Sequence, residues 1–298
     1  MKQYIEMKKY IIDFKIKENK RLSGLYSLLK LEPIEGELPE ILPGQFVQVE
    51  VSNSKTTYLR RPISVNFVDY EKRELWLLVR KAGEGTAALI EKRDGEIVNI
   101  VLPLGNGFGI EGKQMLLIGG GVGVAPLLYL GKKAQEQGVG VKFLLGARSA
   151  SDLLELDEFA KYGEVYVSTE DGSMGEKGFV TQHSVLAKTD AFDHISCCGP
   201  APMMKAVAKI AREKGVACDV SLENVMACGI GACLCCVEDT TEGNVCVCKE
   251  GPVFNIEKTV IEQSQFFKYF TVSTRVLSAP PPCSVVIQNR IFFFIFTP

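Results

Sequence analysis

Cys228, Cys233, Cys236 and Cys248 stand at C-x4-C-x2-C-x11-C. The first three positions have the spacing of a thiolate-held two-iron, two-sulfur cluster. Such a core needs four thiolates converging on a small inorganic centre, so the chain must wrap it closely. Gly229 and Gly231 permit that wrapping, because glycine accepts positive φ without a Cβ clash. Ala227 and Ala232 leave room for sulfide. A structural zinc site or inert thiols are the alternatives. Zinc usually takes paired C-x2-C knuckles, and only Cys233/Cys236 form one. Cys235 and Cys246 are extra thiols beside this set, and Cys246 competes with Cys248 as the fourth ligand.

Three other stretches carry groups suited to phosphate or ring recognition. Arg60-Arg61-Pro62-Ile63-Ser64 offers guanidinium groups that can pair with a diphosphate and a hydroxyl that can reach a flavin edge. Leu78-Val79-Arg80, then Gly83-Glu84-Gly85-Thr86, exposes backbone N–H groups, with Thr86 expected to open a helix as its cap. Gly119-Gly120-Gly121-Val122-Gly123 follows an apolar run and precedes a helical pattern. Strand, glycine turn and helix together form a phosphate cradle, although this is not a strict G-x-G-x-x-G.

These groups need elements to hold them. Residues 1–108 read as a β-rich domain: residues 10–16 and 44–51 alternate with period two, as half-buried strands do, and proline and glycine punctuate the joins. Many short strands with frequent turns predict a barrel or sandwich. Pro103-Leu104-Gly105-Asn106-Gly107-Phe108 reads as a closing linker. Residues 109–217 alternate strand and helix, with strands at 115–118, 141–146, 165–169 and near 195–198, and helices at 152–162 and 202–214. That order predicts a parallel sheet with ligand at the carboxyl ends of its strands. Residues 218–258 form a small thiol-bearing subdomain. The fold class is thus β barrel plus α/β, with a metal appendage.

The 298 residues suit two domains and an appendage. A net charge of −2 gives no basic footprint for nucleic acid. Ten cysteines without a recognisable signal peptide favour a reducing, cytoplasmic compartment. No run reaches the roughly 18 apolar residues of a spanning helix, so no membrane insertion is expected. His183 and His194 are the only histidines and lack a motif, which predicts surface or capping roles. Cys197 and Cys218 read as small buried hydrophobes.

Taken in order, RRPIS, GEGT, PLGNGF, GGGVGVAPL, TEDGS, CCGPAPMMKAV and ENVMACGIGACLCCVE…CKEGPVF resemble the electron-transfer subunits of dihydroorotate dehydrogenase B, over about residues 5–258. The resemblance implies FAD on a ferredoxin-reductase-like barrel, NAD on the α/β domain and one [2Fe-2S] cluster. Arg61, Pro62, Ile63, Ser64, Leu78, Val79, Arg80, Gly85 and Thr86 would contact FAD. Gly119, Gly120, Gly121 and Gly123 would face the NAD pyrophosphate, with Cys198, Gly199 and Pro200 near the nicotinamide. No protein side chain is implied as catalytic, because the cofactors carry the chemistry. Cys228, Cys233, Cys236 and Cys248 would ligate the cluster, the match around Lys249-Glu250-Gly251-Pro252 favouring Cys248 over Cys246.

The implied partner is an FMN-containing dihydroorotate dehydrogenase catalytic subunit, two of each chain forming a heterotetramer in pyrimidine biosynthesis. Asp152 and Glu155, after the 141–146 strand, favour NAD over NADP by repelling a 2′-phosphate, although Arg148 would welcome one. Two rival readings are a reductase subunit for another partner, such as a ferredoxin–NADP oxidoreductase or sulfide dehydrogenase, and a non-enzymatic zinc or redox-sensing module. Residues 259–298 fall outside the resemblance and read as a poorly ordered, atypical extension, the alternative being a membrane or partner anchor.

Overall fold

The computed structural model describes residues 8–258 apart from 53, 55 and 242, together with 285–287 and 290–292. The expectation of a poorly ordered tail falls mostly outside the described residues. Within it, Val285–Ile287 pairs antiparallel with Arg290–Phe292.

Seven antiparallel strands form the first sheet: β1 (Tyr10–Arg21), β2 (Tyr26–Pro33), β3 (Phe46–Val49), β4 (Arg61–Ser64), β5 (Phe67–Asp69), β6 (Glu74–Arg80) and β7 (Ile97–Leu104). Their order is β4-β3-β7-β1-β2-β6-β5. The sheet curls until β4 approaches β6, so inward-facing Phe14, Ile16, Val47, Val49, Leu75, Leu77 and Ile100 meet inside it. A short helix, α1 (Glu84–Ile90), follows β6 and closes one end with Leu89 and Ile90.

The second sheet has the order β11-β10-β9-β8-β12-β13-β16. Its parallel strands are β8 (Gln114–Gly120), β9 (Gly140–Ala147), β10 (Glu164–Thr169), β11 (Glu176–Lys177), β12 (His194–Cys198) and β13 (Ala217–Ser221). The near-continuous apolar run of β8 and the full burial of every residue of β12 reflect cover on both faces. Helix α2 (Ala125–Glu136) covers one face. Four of its apolar residues, Leu127 to Leu130, are fully buried. After the short α3 (Leu156–Phe159) comes α4 (Ala201–Lys214), which buries Met204, Val207, Ala208 and Ala211 on the other face. It stops at Gly215, φ 66°, a left-handed cap that suits glycine.

The chain then leaves β13, makes a hairpin of β14 (Val237–Thr240) and β15 (Gly243–Cys246), and returns as β16 (Val253–Asn255) antiparallel to β13. The second sheet therefore runs past the expected 217/218 division, and 222–252 is the part that stands apart.

Two expectations change. Of the helix expected over 152–162, Asp152 ends a 3-10 turn and only Leu156–Phe159 is α-helical. Leu153 is extended, and Glu155 is left-handed at φ 56°. The cause is tertiary: Asn66 of the first sheet donates from Nδ2 to Glu155 Oε2 at 3.0 Å, drawing the chain toward the barrel. Strand β3 is buried on both faces rather than one, because the thiol-bearing segment roofs its outer side.

The two sheets share one apolar core. Phe67 packs edge-on against Tyr129 of α2, and the Tyr129 hydroxyl donates to Ile41 O at 3.2 Å. Asn66 Nδ2 also donates to Ala125 O. Among the described residues no helix is long and apolar enough to cross a membrane.

Candidate functional site

The glycines after β8 and the residues after β12 meet. These strands are parallel neighbours with Cys198 opposite Gly119. From β8 the chain crosses to β9 on one side, while β12 lies on the other, so a topological switch point falls between them. Crevices at such points, at the carboxyl ends of strands, take nucleotides. A Cβ at Gly123 would lie 2.5 Å from Gly199 Cα and 2.6 Å from Cys198 O. One at Gly120 would lie 2.6 Å from Met203 Sδ. The two turns therefore touch through bare backbone. Gly121 has φ 56°, and its Cα faces open space. The Cys198 thiol is buried at the end of β12, and burial holds it well above the ordinary thiol range.

Arg61, Pro62, Ile63 and Ser64 form β4 and are half-buried along the sheet edge. Arg61 lies across Gly85, where a Cβ would come within 2.9 Å of Arg61 Cδ. Burial lowers the Arg61 pKa, and its guanidinium donates to the Arg60 and Leu59 carbonyls, both at 3.1 Å. Arg60 turns the other way and donates to Asn99 Oδ1 and O. Thr86 is not the helix cap. Gly83 is, and the Thr86 hydroxyl, one turn in, accepts from Ala82 N and Gly83 N at 2.8 and 3.1 Å.

The Leu78 and Val79 side chains are both buried, Val79 in the barrel core with Leu75 and Leu77, and Leu78 on the opposite face of β6. They offer a ligand only backbone, along the edge of β6 past Trp76 where β5 pairing has ended. Arg80 is exposed at the strand end. Strand β6 approaches the Gly121–Val124 turn, so the flavin and nicotinamide candidates lie on neighbouring elements.

The thiols are brought together by tight turns in which Gly229 and Gly231 have φ 71° and 83°. Cys228 and Cys233 pair, as do Cys236 and Cys248. Backbone N–H groups aim at the sulfurs. Ile230 N and Cys233 N donate to Cys228 Sγ at 3.4 Å, Gly231 N to Cys248 Sγ at 3.1 Å, and Cys248 N to Cys236 Sγ at 3.4 Å. Burial pushes the Cys228 thiol up, but these donors outweigh it and bring it down to about 7. The Cys248 thiol, donating to Cys236, holds the latter down to about 6.

Among the described residues no three His, Cys, Asp or Glu side chains close round one point as a single-ion site does. Two thiol pairs, each with one sulfur whose anion is favoured, Cys228 and Cys236, fit a two-iron core instead, two sulfurs to each iron. Cys248 and Cys236 are buried, Cys228 half-buried and Cys233 exposed. Cys246 lies on the other side of Gly231, its thiol donating to Gly231 O at 3.9 Å, and Cys235 is exposed.

The roof is clamped to the barrel. Asn106 N donates to Gly251 O at 2.6 Å, and Asn106 Nδ2 reaches Glu250 O at 2.9 Å. The stretch read as a linker is thus the seat of the C-terminal segment, a role hidden because its partner lies some 145 residues later. His183 caps, its Nδ1 accepting from Val185 N. His194 is buried rather than on the surface, with Nε2 3.2 Å from Asp219 Oδ2. Cys197 and Cys218 are buried apolar packing, as expected. Glu155 faces Asn66 rather than a ribose, so the NAD preference gains nothing from it.

A family model for the iron–sulfur cluster binding domain of dihydroorotate dehydrogenase B matches residues 223–260, and one for the oxidoreductase NAD-binding domain matches 117–209. The dihydroorotate dehydrogenase B (NAD(+)) electron transfer subunit of Bacillus velezensis is 44% identical, over 76% of this chain and 91% of that one. Its counterpart in Caldanaerobacter subterraneus is 44% identical over 73% and 87%. Among solved structures, a chain of the NADH-dependent reduced ferredoxin–NADP oxidoreductase superposes with a TM-score of 0.74 at 30% identity, covering 86% of this chain and 91% of that one. A ferredoxin reductase of carbazole 1,9a-dioxygenase shares the fold at a TM-score of 0.61 and 20% identity. The chain belongs to the family of electron-transfer subunits of NAD-dependent dihydroorotate dehydrogenase B.

Proposed function

We propose that this chain carries electrons out of a dihydroorotate-oxidising partner and delivers them to NAD⁺. What supports this reading is a run of neighbouring elements: the thiol loop lies against β3 at Gln48, β4 with Arg61–Ser64 pairs with β3, and the Gly121–Val124 turn lies beside β6. Bound there, a [2Fe-2S] cluster would supply one-electron transfer from the partner's FMN, and FAD the exchange between one-electron and two-electron chemistry that NAD⁺ requires.

The chain's own residues bind and orient. Cys228, Cys233, Cys236 and Cys248 hold the cluster. Cys248 is favoured over Cys246 because it is buried and takes the Gly231 N–H. Arg61, Pro62, Ile63 and Ser64 line the flavin edge, together with Arg80, Gly85 and the backbone of Leu78 and Val79. Gly119 to Gly123 admit a pyrophosphate against bare backbone, and Cys198, Gly199 and Pro200 border the nicotinamide. Thr86 shapes the α1 turn rather than offering a free hydroxyl. Free thiols in this number suit the reducing cytoplasm.

Iron, sulfide and flavin analysis of the native protein tests the cofactor set, and native mass measurement of the copurified complex tests the partner. Flavin and iron–sulfur absorption with an FMN-bearing dihydroorotate dehydrogenase in a two-plus-two complex is the expected result. A colourless zinc protein, or a reductase complex without that partner, would refute it.

A further inference from the structure

Gln48 lies on β3 between Val47 and Val49, whose side chains enter the barrel core. Its own side chain, like that of Phe46, points to the opposite face. There Phe46 packs with Met226, Cys236, Val247 and Cys248 of the roof. Gln48 is 1% exposed under the same roof, yet neither its Oε1 nor its Nε2 has a protein partner. Leaving a buried polar group unmet costs about 1–3 kcal/mol, and native proteins keep few such groups without a reason. Gln45, three residues earlier and equally buried, shows the contrast: its Oε1 accepts from Leu42 N and its Nε2 donates to Gly105 O, both at 2.7 Å.

The segment facing the Gln48 amide is the thiol loop. A Cβ on Gly229, the residue after Cys228, would fall 2.8 Å from both Gln48 Cγ and Nε2. A side chain there would push the amide aside. On the other side, Gln48 is in register with Pro62, between Arg61 and Ile63. One side chain therefore touches the loop of the first thiol and stands one strand from the flavin edge.

The geometry points to Gln48 as a hydrogen-bond donor from the barrel to the sulfur centre, a positioning residue that tunes its reduction potential. This rests on the cluster reading of the four cysteines. The loop's own backbone already donates to Cys228, Cys236 and Cys248, and Gln48 adds a donor from a different element. Donors to cluster sulfur favour the reduced, more negative state and raise the potential. The unmet amide nitrogen then has its acceptor.

The test is an EPR-monitored redox titration of the intact complex with its partner, comparing the native protein with Gln48→Leu and Gln48→Glu. Both variants should keep iron, sulfide and FAD, and both should titrate at a lower potential. Gln48→Glu should recover toward the native value as the pH falls and its carboxyl gains a donor proton. Native potentials in both loaded variants would overturn the proposal. Should neither variant load, pulsed EPR on the native protein labelled with 15N at glutamine side chains decides the matter. A side-chain 15N coupling to the reduced cluster supports the assignment, and its absence refutes it. Native protein lacking iron and sulfide would instead overturn the cluster reading on which this one rests.

Discussion

The barrel and α/β sheet differ in kind from the 222–252 segment that sits on them. The two sheets bury large apolar side chains such as Phe14, Leu77, Tyr129 and Phe143, and they join through a shared core. The segment has one short hairpin, and two of its few buried side chains are Cys236 and Cys248. The sheets are held by apolar burial, which needs no ligand. The segment is shaped by glycine turns and sulfur-directed N–H groups, and such thiol sites gain folding free energy from the metal itself. One chain thus joins a self-sufficient body to a ligand-dependent roof.

The sharpest way to break that contrast is to remove one thiol. Cys233→Ala should abolish iron and sulfide content and electron flow from the partner, while NADH still reduces FAD. Loss of FAD as well, read by its absorbance, would mean that body and roof are one cooperative unit. The next largest effect belongs to the body. Phe143, stacked edge-on against Phe159 at 4.9 Å, should lose about 3–5 kcal/mol when replaced by alanine. Denaturant unfolding followed by tryptophan fluorescence checks it, and cluster absorbance before the transition should be unchanged.

Gly123→Ala separates the two nucleotide turns. It should raise the KM for NADH by on the order of tenfold, about 1.4 kcal/mol, with the cluster spectrum unaltered. The smallest effect concerns the seam between the sheets. Burial raises the Glu155 carboxyl to about 7, against the Asn66 donor and the distant Lys20 and Lys30, with Glu158 adding to the rise. The folded state then binds more protons than the unfolded one, so stability should fall as pH rises from about 4.5 to about 7. Glu155→Gln should remove that slope in thermal unfolding while leaving the Asn66 contact in place.

Much of this was legible in sequence because its causes are local. Period-two alternation marked β1 and β3, an apolar run marked β8, and glycine marked the turns at 119–123 and 229–231. What stayed hidden depends on distant partners. Glu155 belongs to a helix-like stretch until Asn66, 89 residues away, pulls it left-handed. Gln48 reads as the solvent side of a strand until a roof from residue 226 onward covers it. The thiol pairs were foreshadowed by spacing, but the choice between Cys246 and Cys248 turns on which side of Gly231 each thiol falls.

Leu222 N donates to Pro252 O at 2.9 Å, closing the base of the roof where it leaves and rejoins the second sheet. Val237 stands opposite Cys246 at the foot of the hairpin, and Thr240 opposite Gly243 at its tip. Length added at that tip lengthens the interval between the third and fourth cysteines without moving either. The roof is therefore a cassette with a fixed neck and an elastic crown, and relatives could differ in the last interval of the cysteine pattern while presenting the same four sulfurs.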